Sequence, residues 1–125
     1  MKRVFLGGTC GGDTWRDELI KMLNIEYFNP VVENWTPTCQ AEEIVQRETC
    51  DYCLYVITAK MTGVYSIAEV VDDSNKRPEK TLLCVLEAGF TEHQLKSLTM
   101  VKNMVSLNGA KCFTTLEALA IFLNS

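Results

Sequence analysis

The sequence predicts an α/β fold in which a parallel sheet carries helices on both faces. Three observations predict it. Strand-like and helix-like segments alternate five times along 125 residues, and the connections between them are short. Tyr52 to Thr58 is a continuous β-branched and aromatic run, the pattern of a strand buried on both faces. Parallel strands joined through helices need right-handed crossovers. One domain over residues 1–125 is expected, because a chain of this length removes roughly two-thirds of its unfolded surface from water.

The elements follow from local chemistry. Arg3 to Gly7 is a short strand, and a loop with four glycines, Gly7-Gly8-Thr9-Cys10-Gly11-Gly12, comes after it. Asp13 is an N-cap candidate for a helix whose Trp15, Leu19, Met22 and Leu23 share one stripe. Ile25 to Asn29 is a second strand, ended by Pro30, and loop extends to Pro37. Thr38 or Cys39 through Glu48 is helical, rich in Gln, Ala and Glu, with Ala41, Ile44, Val45 and Glu48 at helical spacing. Tyr52 to Thr58 is the third and central strand. A loop around Gly63 leads to a helix over Tyr65 to Asn75, which Pro78 must follow from outside. Thr81 to Leu86 is the fourth strand, and Glu92 to Val105 repeats Leu95, Leu98 and Val101 on one helical face. Ala110 to Phe113 is the last strand. Thr114 and Glu117 form a capping-box pair that opens the final helix.

Composition narrows the function. Twelve Lys plus Arg against 16 Asp plus Glu leave a formal charge of −4, with no Lys/Arg stripe, so nucleic acid is not expected as a partner. No apolar run reaches the ~20 residues of a membrane span, and Met1-Lys2-Arg3 leads directly into a strand rather than an apolar signal region. A cytoplasmic protein is expected. The six cysteines lie scattered in apolar segments and mostly serve as small core residues. Cys50-Asp51-Tyr52-Cys53 precedes a strand rather than a helix and lacks two further ligands at suitable spacing, which argues against redox and zinc roles. No metal or cofactor is expected. His93 is assigned to the surface, and Asp72, Asp73, Lys76 and Arg77 to a solvated helix end.

In an open parallel sheet, ligands sit beyond the carboxyl ends of the strands. The loops that matter are therefore Gly8 to Gly12, Asn29 to Trp35, Ala59 to Ser66 and Glu87 to Phe90. The glycine loop either brings backbone close to a phosphate or sugar or is a plain tight turn; it has no P-loop Lys and no Gly-x-Gly-x-x-Gly spacing. Glu69, in the first turn or so of the helix after the central strand, suits a nucleophile or base stabilised by the helix N-terminus, or an ordinary first-turn Glu. Glu43, on the preceding helix, points along the sheet towards the same strand ends or lies on a solvated face with Glu42, Arg47 and Glu48. A carboxylate pair of this kind is what glycosidic-bond chemistry requires.

With those residues in place, four pieces in order resemble the nucleoside 2-deoxyribosyltransferase-like superfamily: Val4-Phe5-Leu6-Gly7-Gly8-Thr9 with its glycines, Phe28-Asn29-Pro30, Cys50-Asp51 leading an apolar strand, and Ser66-x-x-Glu69. They extend over about the first 90 residues. The resemblance implies a flavodoxin-like, Rossmann-like three-layer sandwich with a five-stranded parallel sheet, and cleavage or exchange of an N-glycosidic bond in a (deoxy)nucleoside or nucleotide. By resemblance Glu69 is the nucleophile, Ser66 helps hold the sugar or a phosphate, and Glu43 is the acid near the leaving base. Gly8, Thr9, Cys10, Asn29 and Gly63 line the pocket, and Trp35 stacks on a base. Phe5 stands where the family often has a Tyr, and Val64-Tyr65 follow Gly63 where an Asp-x-Gly is usual. A nucleotide or NAD N-glycosidase and a non-catalytic nucleotide-binding module are the alternatives. Family habit and exposed aromatic loop residues point to a homo-oligomer.

Overall fold

A computed structural model describes residues 1–125 as five parallel strands and five α-helices in strict alternation. The strands are β1 (Arg3–Gly8), β2 (Glu26–Phe28), β3 (Tyr52–Ile57), β4 (Thr81–Val85) and β5 (Lys111–Phe113). The helices are α1 (Trp15–Met22), α2 (Pro37–Thr49), α3 (Tyr65–Lys76), α4 (Glu92–Asn108) and α5 (Leu116–Asn124). The sheet order is β2-β1-β3-β4-β5, the flavodoxin-like arrangement, in which the winding reverses between β1 and β3. Gly8 pairs with Val56 at that reversal, and Ile57 with Val85 on the other side of β3.

Alternation along the strands divides the core in two. Val4, Leu6, Leu54, Val56, Leu82 and Cys84 face α1 and α5, meeting Trp15, Leu19, Leu119 and Leu123. Phe5, Cys53, Tyr55, Ile57, Leu83 and Val85 face the other way, meeting Val70 of α3 and Leu98 and Val105 of α4. Helix α2 buries no residue, and Ile44 and Val45 stay about half exposed. No helix is long and apolar enough to cross a membrane.

Three local assignments differ from the sequence reading. Helix α1 has Thr14 in the N-cap place, but that side chain makes no cap bond; Asp13, one residue earlier, accepts the Trp15 N–H at 3.1 Å with one carboxylate oxygen while the other accepts the Thr58 hydroxyl. Burial of Leu116, Leu119 and Leu123 starts α5 one residue later than expected, so Thr115 is the cap, accepting the Ala118 N–H at 3.1 Å. The reciprocal capping box belongs to α4, where Thr91 and Gln94 satisfy each other's backbone N–H groups. Of the cysteines, Cys50, Cys53 and Cys84 are buried, Cys39 and Cys112 partly so, and Cys10 is exposed.

Candidate active site

The glycine loop has packing reasons for its composition. A side chain at Gly7 would meet the Tyr55 ring at 2.7 Å, and one at Gly8, whose φ is +118°, would lie 2.1 Å from the Val56 carbonyl oxygen. Behind the turn, Thr9 is buried: its N–H donates to the Val56 carbonyl and its Oγ1 accepts the Thr58 N–H, each at 2.9 Å. Arg16 supports the loop from inside, donating to the carbonyls of Leu6, Thr9 and Gly8 at 3.0, 2.7 and 3.3 Å. Burial lowers the pKa of this guanidinium. The loop is thereby fixed to the ends of β1 and β3, where the sheet reverses.

Beyond those ends lies a cavity of about 600 Å³, within the roughly 300–1,000 Å³ of small-molecule sites. Three of the four expected loops reach it: Gly8 to Cys10 after β1, Pro30 to Trp35 after β2, and Met61 to Ser66 after β3. The Glu87 to Phe90 loop contributes nothing to its lining. Glu43 enters from α2, and Ser66 and Glu69, three residues apart on α3, enter from the facing helix. Gly63 and Trp35 stand at its rim. Trp35 is 58% exposed and donates its indole N–H to Glu43 at 3.3 Å. Asn29 does not line the cavity: its Oδ1 accepts the Val31 N–H at 3.1 Å and so shapes the turn after β2.

The electrostatics depart from the sequence reading. Glu69 is the fifth residue of α3, beyond the first turn in which a helix N-terminus stabilises an anion. Its side chain is 13% exposed. Burial is the main influence; Glu43 and Asp73 add repulsion, Arg47 opposes both, and the carboxyl is pushed up to about 7.

Arg47, Asp73 and Arg77, the last assigned to a solvated helix end but only 16% exposed against Asp73, are the residues whose placement the sequence reading missed. Asp73, assigned to a solvated helix end, is fully buried. Its carboxylate accepts Arg47 Nε at 3.1 Å, Arg47 Nη2 at 2.9 Å, the Tyr55 hydroxyl at 2.5 Å, and Arg77 Nη1. Arg47, assigned to a solvated face, is only 11% exposed and also meets Asp72 at 3.1 Å and Glu69 at 3.7 Å. Although burial pulls its pKa down, Asp73 and the other carboxylates raise it above the ordinary arginine value, so the guanidinium is permanently charged. Burial, with Asp73 beside it, holds the Tyr55 hydroxyl protonated. A signal was available: Glu43 and Arg47 are four residues apart, as are Glu69 and Asp73, so each pair shares a helix face beside the central strand.

The family model described as "Nucleoside 2-deoxyribosyltransferase like" matches residues 1–103, from before β1 to within α4. The chain belongs to this family. The match takes in every residue of the cavity, so the nucleoside 2-deoxyribosyltransferase-like part of the chain and its site coincide. No curated protein matches the chain.

Proposed function

We propose that the chain is one catalytic domain that cleaves or exchanges the N-glycosidic bond of a (deoxy)nucleoside or nucleotide. The observation that carries this reading is Glu69, a carboxylate largely withdrawn from solvent, in a cavity at the sheet reversal that also holds Glu43 and Ser66. Family membership supplies the substrate class.

The reaction is a double displacement. A Glu69 carboxylate oxygen attacks the anomeric carbon as the bond to the base nitrogen breaks, and the bonding pair leaves on the base, which takes a proton from Glu43. The glycosyl ester is then opened by the nitrogen of a second base, or by water, whose proton returns to Glu43, and Glu69 is released as carboxylate. Gly8, Thr9, Cys10 and Gly63 wall the pocket, Ser66 binds the sugar hydroxyls or a phosphate, and the exposed face of Trp35 stacks on the base. The six free thiols suit a cytoplasmic setting, and exposed Trp35, Ile44 and Val45 suit self-association.

The test is a screen of nucleosides and nucleotides, each mixed with a different free base, for exchanged nucleoside or for free base and sugar. Exchange identifies a transferase; free sugar identifies a hydrolase. Glu69→Ala is expected to abolish both. Base release by folded Glu69→Ala at the wild-type rate overturns the assignment. Saturable binding without product from any compound identifies a binding module instead.

A further inference from the structure

We propose that Arg47 is the positioning residue of this site: anchored on the buried Asp73, its guanidinium faces Glu69, favours its carboxylate form and keeps it aimed into the cavity. The inference rests on Glu69 being the nucleophile and adds a residue that lies outside every motif carrying the family likeness.

The geometry divides one guanidinium unequally between two carboxylates. Nε and Nη2 are spent on Asp73, at 3.1 and 2.9 Å, and Nη2 also reaches Asp72 at 3.1 Å. Nη1 is the remaining nitrogen, and it faces Glu69 Oε2 at 3.7 Å. That separation is an ion pair but longer than a hydrogen bond. Asp73, with both oxygens occupied by close donors, is an inert anchor. Glu69 feels the charge while its lone pairs stay free to attack. Both side chains of the pair are at most 13% exposed, so solvent screens their attraction little.

The anchor is rigid. The Tyr55 hydroxyl, on the central strand, donates to Asp73, and Arg77 holds the same carboxylate. A chain of contacts therefore runs from the sheet through Tyr55, Asp73 and Arg47 to Glu69. The charges around Glu69 show what this achieves. Helix α2 presents Glu43, Arg47 and Glu48, α3 presents Asp72, Asp73 and the exposed Lys76, Arg77 follows α3 and is paired with Asp73, β3 presents neutral Tyr55, and the loop after β1 presents the Cys10 thiol. Arg47 is the only cation within ion-pair distance of Glu69, set against burial and two carboxylates. Without it Glu69 keeps its proton to higher pH, and the protonated carboxyl lacks the negative charge that makes it a nucleophile.

The experiment follows the Glu69 carboxyl by carbon-13 NMR titration, with Glu69→Gln identifying its resonance, so that no substrate is needed; kcat/KM against pH is measured in parallel on the nucleoside found by the screen. Arg47→Gln is expected to raise the midpoint of the Glu69 titration by about one pH unit or more, an approximately tenfold loss of kcat/KM on the acid side. A merely structural role leaves the midpoint in place, and an unchanged midpoint in folded Arg47→Gln overturns the proposal. Should Arg47→Gln not fold, Arg47→Lys decides. A single ammonium cannot hold Asp73 and face Glu69 together, so kcat must fall with KM unchanged at a pH where Glu69 is fully ionised, and an unchanged kcat overturns the proposal. A midpoint that moves as expected in a protein that releases base from no nucleoside supports Arg47 and defeats the proposed activity.

Discussion

Replacing Asp73 with Ala removes the hub that joins α2, α3 and the central strand. The carboxylate accepts from Tyr55, from two nitrogens of Arg47 and from Arg77, and none of it reaches solvent. Its loss leaves the Arg47 side chain, 11% exposed, and the Arg77 side chain, 16% exposed, without their shared partner. It also strands the fully buried Tyr55 hydroxyl. Breaking a buried pair by deleting one member costs about 3–5 kcal/mol. Arg47 retains Asp72 and Glu69, which places the expected value towards the lower end. A chain of 125 residues has about 6–19 kcal/mol of total stability and an unfolding entropy of about 260 cal/mol/K, so the midpoint should fall by about 11–19 °C. Asp72→Ala is the internal control: it removes a 44% exposed partner of the same Arg47 and should cost about 0.2–1 kcal/mol, or about 1–4 °C. Thermal unfolding followed by far-UV circular dichroism near neutral pH measures both. Equal, small shifts for the two variants would refute the claim that the network is anchored on a buried carboxylate.

Other outcomes follow from the same structure. Glu69 has a folded pKa of about 7, raised from 4.5, so between those values the folded state binds more protons than the unfolded one and stability falls as pH rises. Glu69→Gln should remove that slope and unfold at a higher temperature than wild type above pH 7, with the difference vanishing below pH 4.5; parallel melting curves across this range would contradict it. Gly8→Ala should cost about 3 kcal/mol or more, because its Cβ would lie 2.1 Å from the Val56 carbonyl oxygen at a φ of +118°. Gly12→Ala, with φ +86° but open space around it, should cost about 1–2 kcal/mol, and urea unfolding separates the two. In native protein, a thiol reagent should modify exposed Cys10 first, while Cys53 and Cys84, pushed up to about 12 by burial, react only on unfolding; peptide mapping of the labelled protein reads the order.

The fold was legible because its strands announce themselves. Tyr52 to Ile57 is apolar at every position and is buried throughout save for its first residue, as a central parallel strand must be. The helix after it begins at Tyr65 as its sequence predicts, and Pro78 stands just outside it. Boundaries were less legible where packing outweighs local preference. Thr114 and Glu117 have capping-box spacing, yet the core chooses the phase of α5 through Leu116, Leu119 and Leu123, and the cap moves to Thr115. Asp13 has cap chemistry, but the Thr58 hydroxyl claims one of its oxygens across the sheet reversal, a contact 45 residues apart that no local pattern contains.

Charge was misread for a different reason. Arg and Asp at helix ends usually face water, so reading Arg47, Asp73 and Arg77 as solvated follows the general rule, which Asp72, 44% exposed, obeys. The exception arises because α2 offers no apolar face to the sheet: none of its residues is buried, and Ile44 and Val45 stay half exposed. Something other than hydrophobic burial must hold this helix. Arg47 does so by reaching α3, and Lys80 fastens the same C-terminal end, donating to the carbonyls of Glu48 and Cys50 at 2.7 Å each. Buried ion pairs are an inefficient source of stability, and an apolar helix face would serve the fold better. An apolar face there would close the cavity wall and leave Glu69 next to Glu43 and Asp73 with no opposing cation. The polar attachment of α2 is thus intelligible through the site: it keeps a charged wall opposite Glu69, and it places Glu43, one helical turn before Arg47, on that same wall.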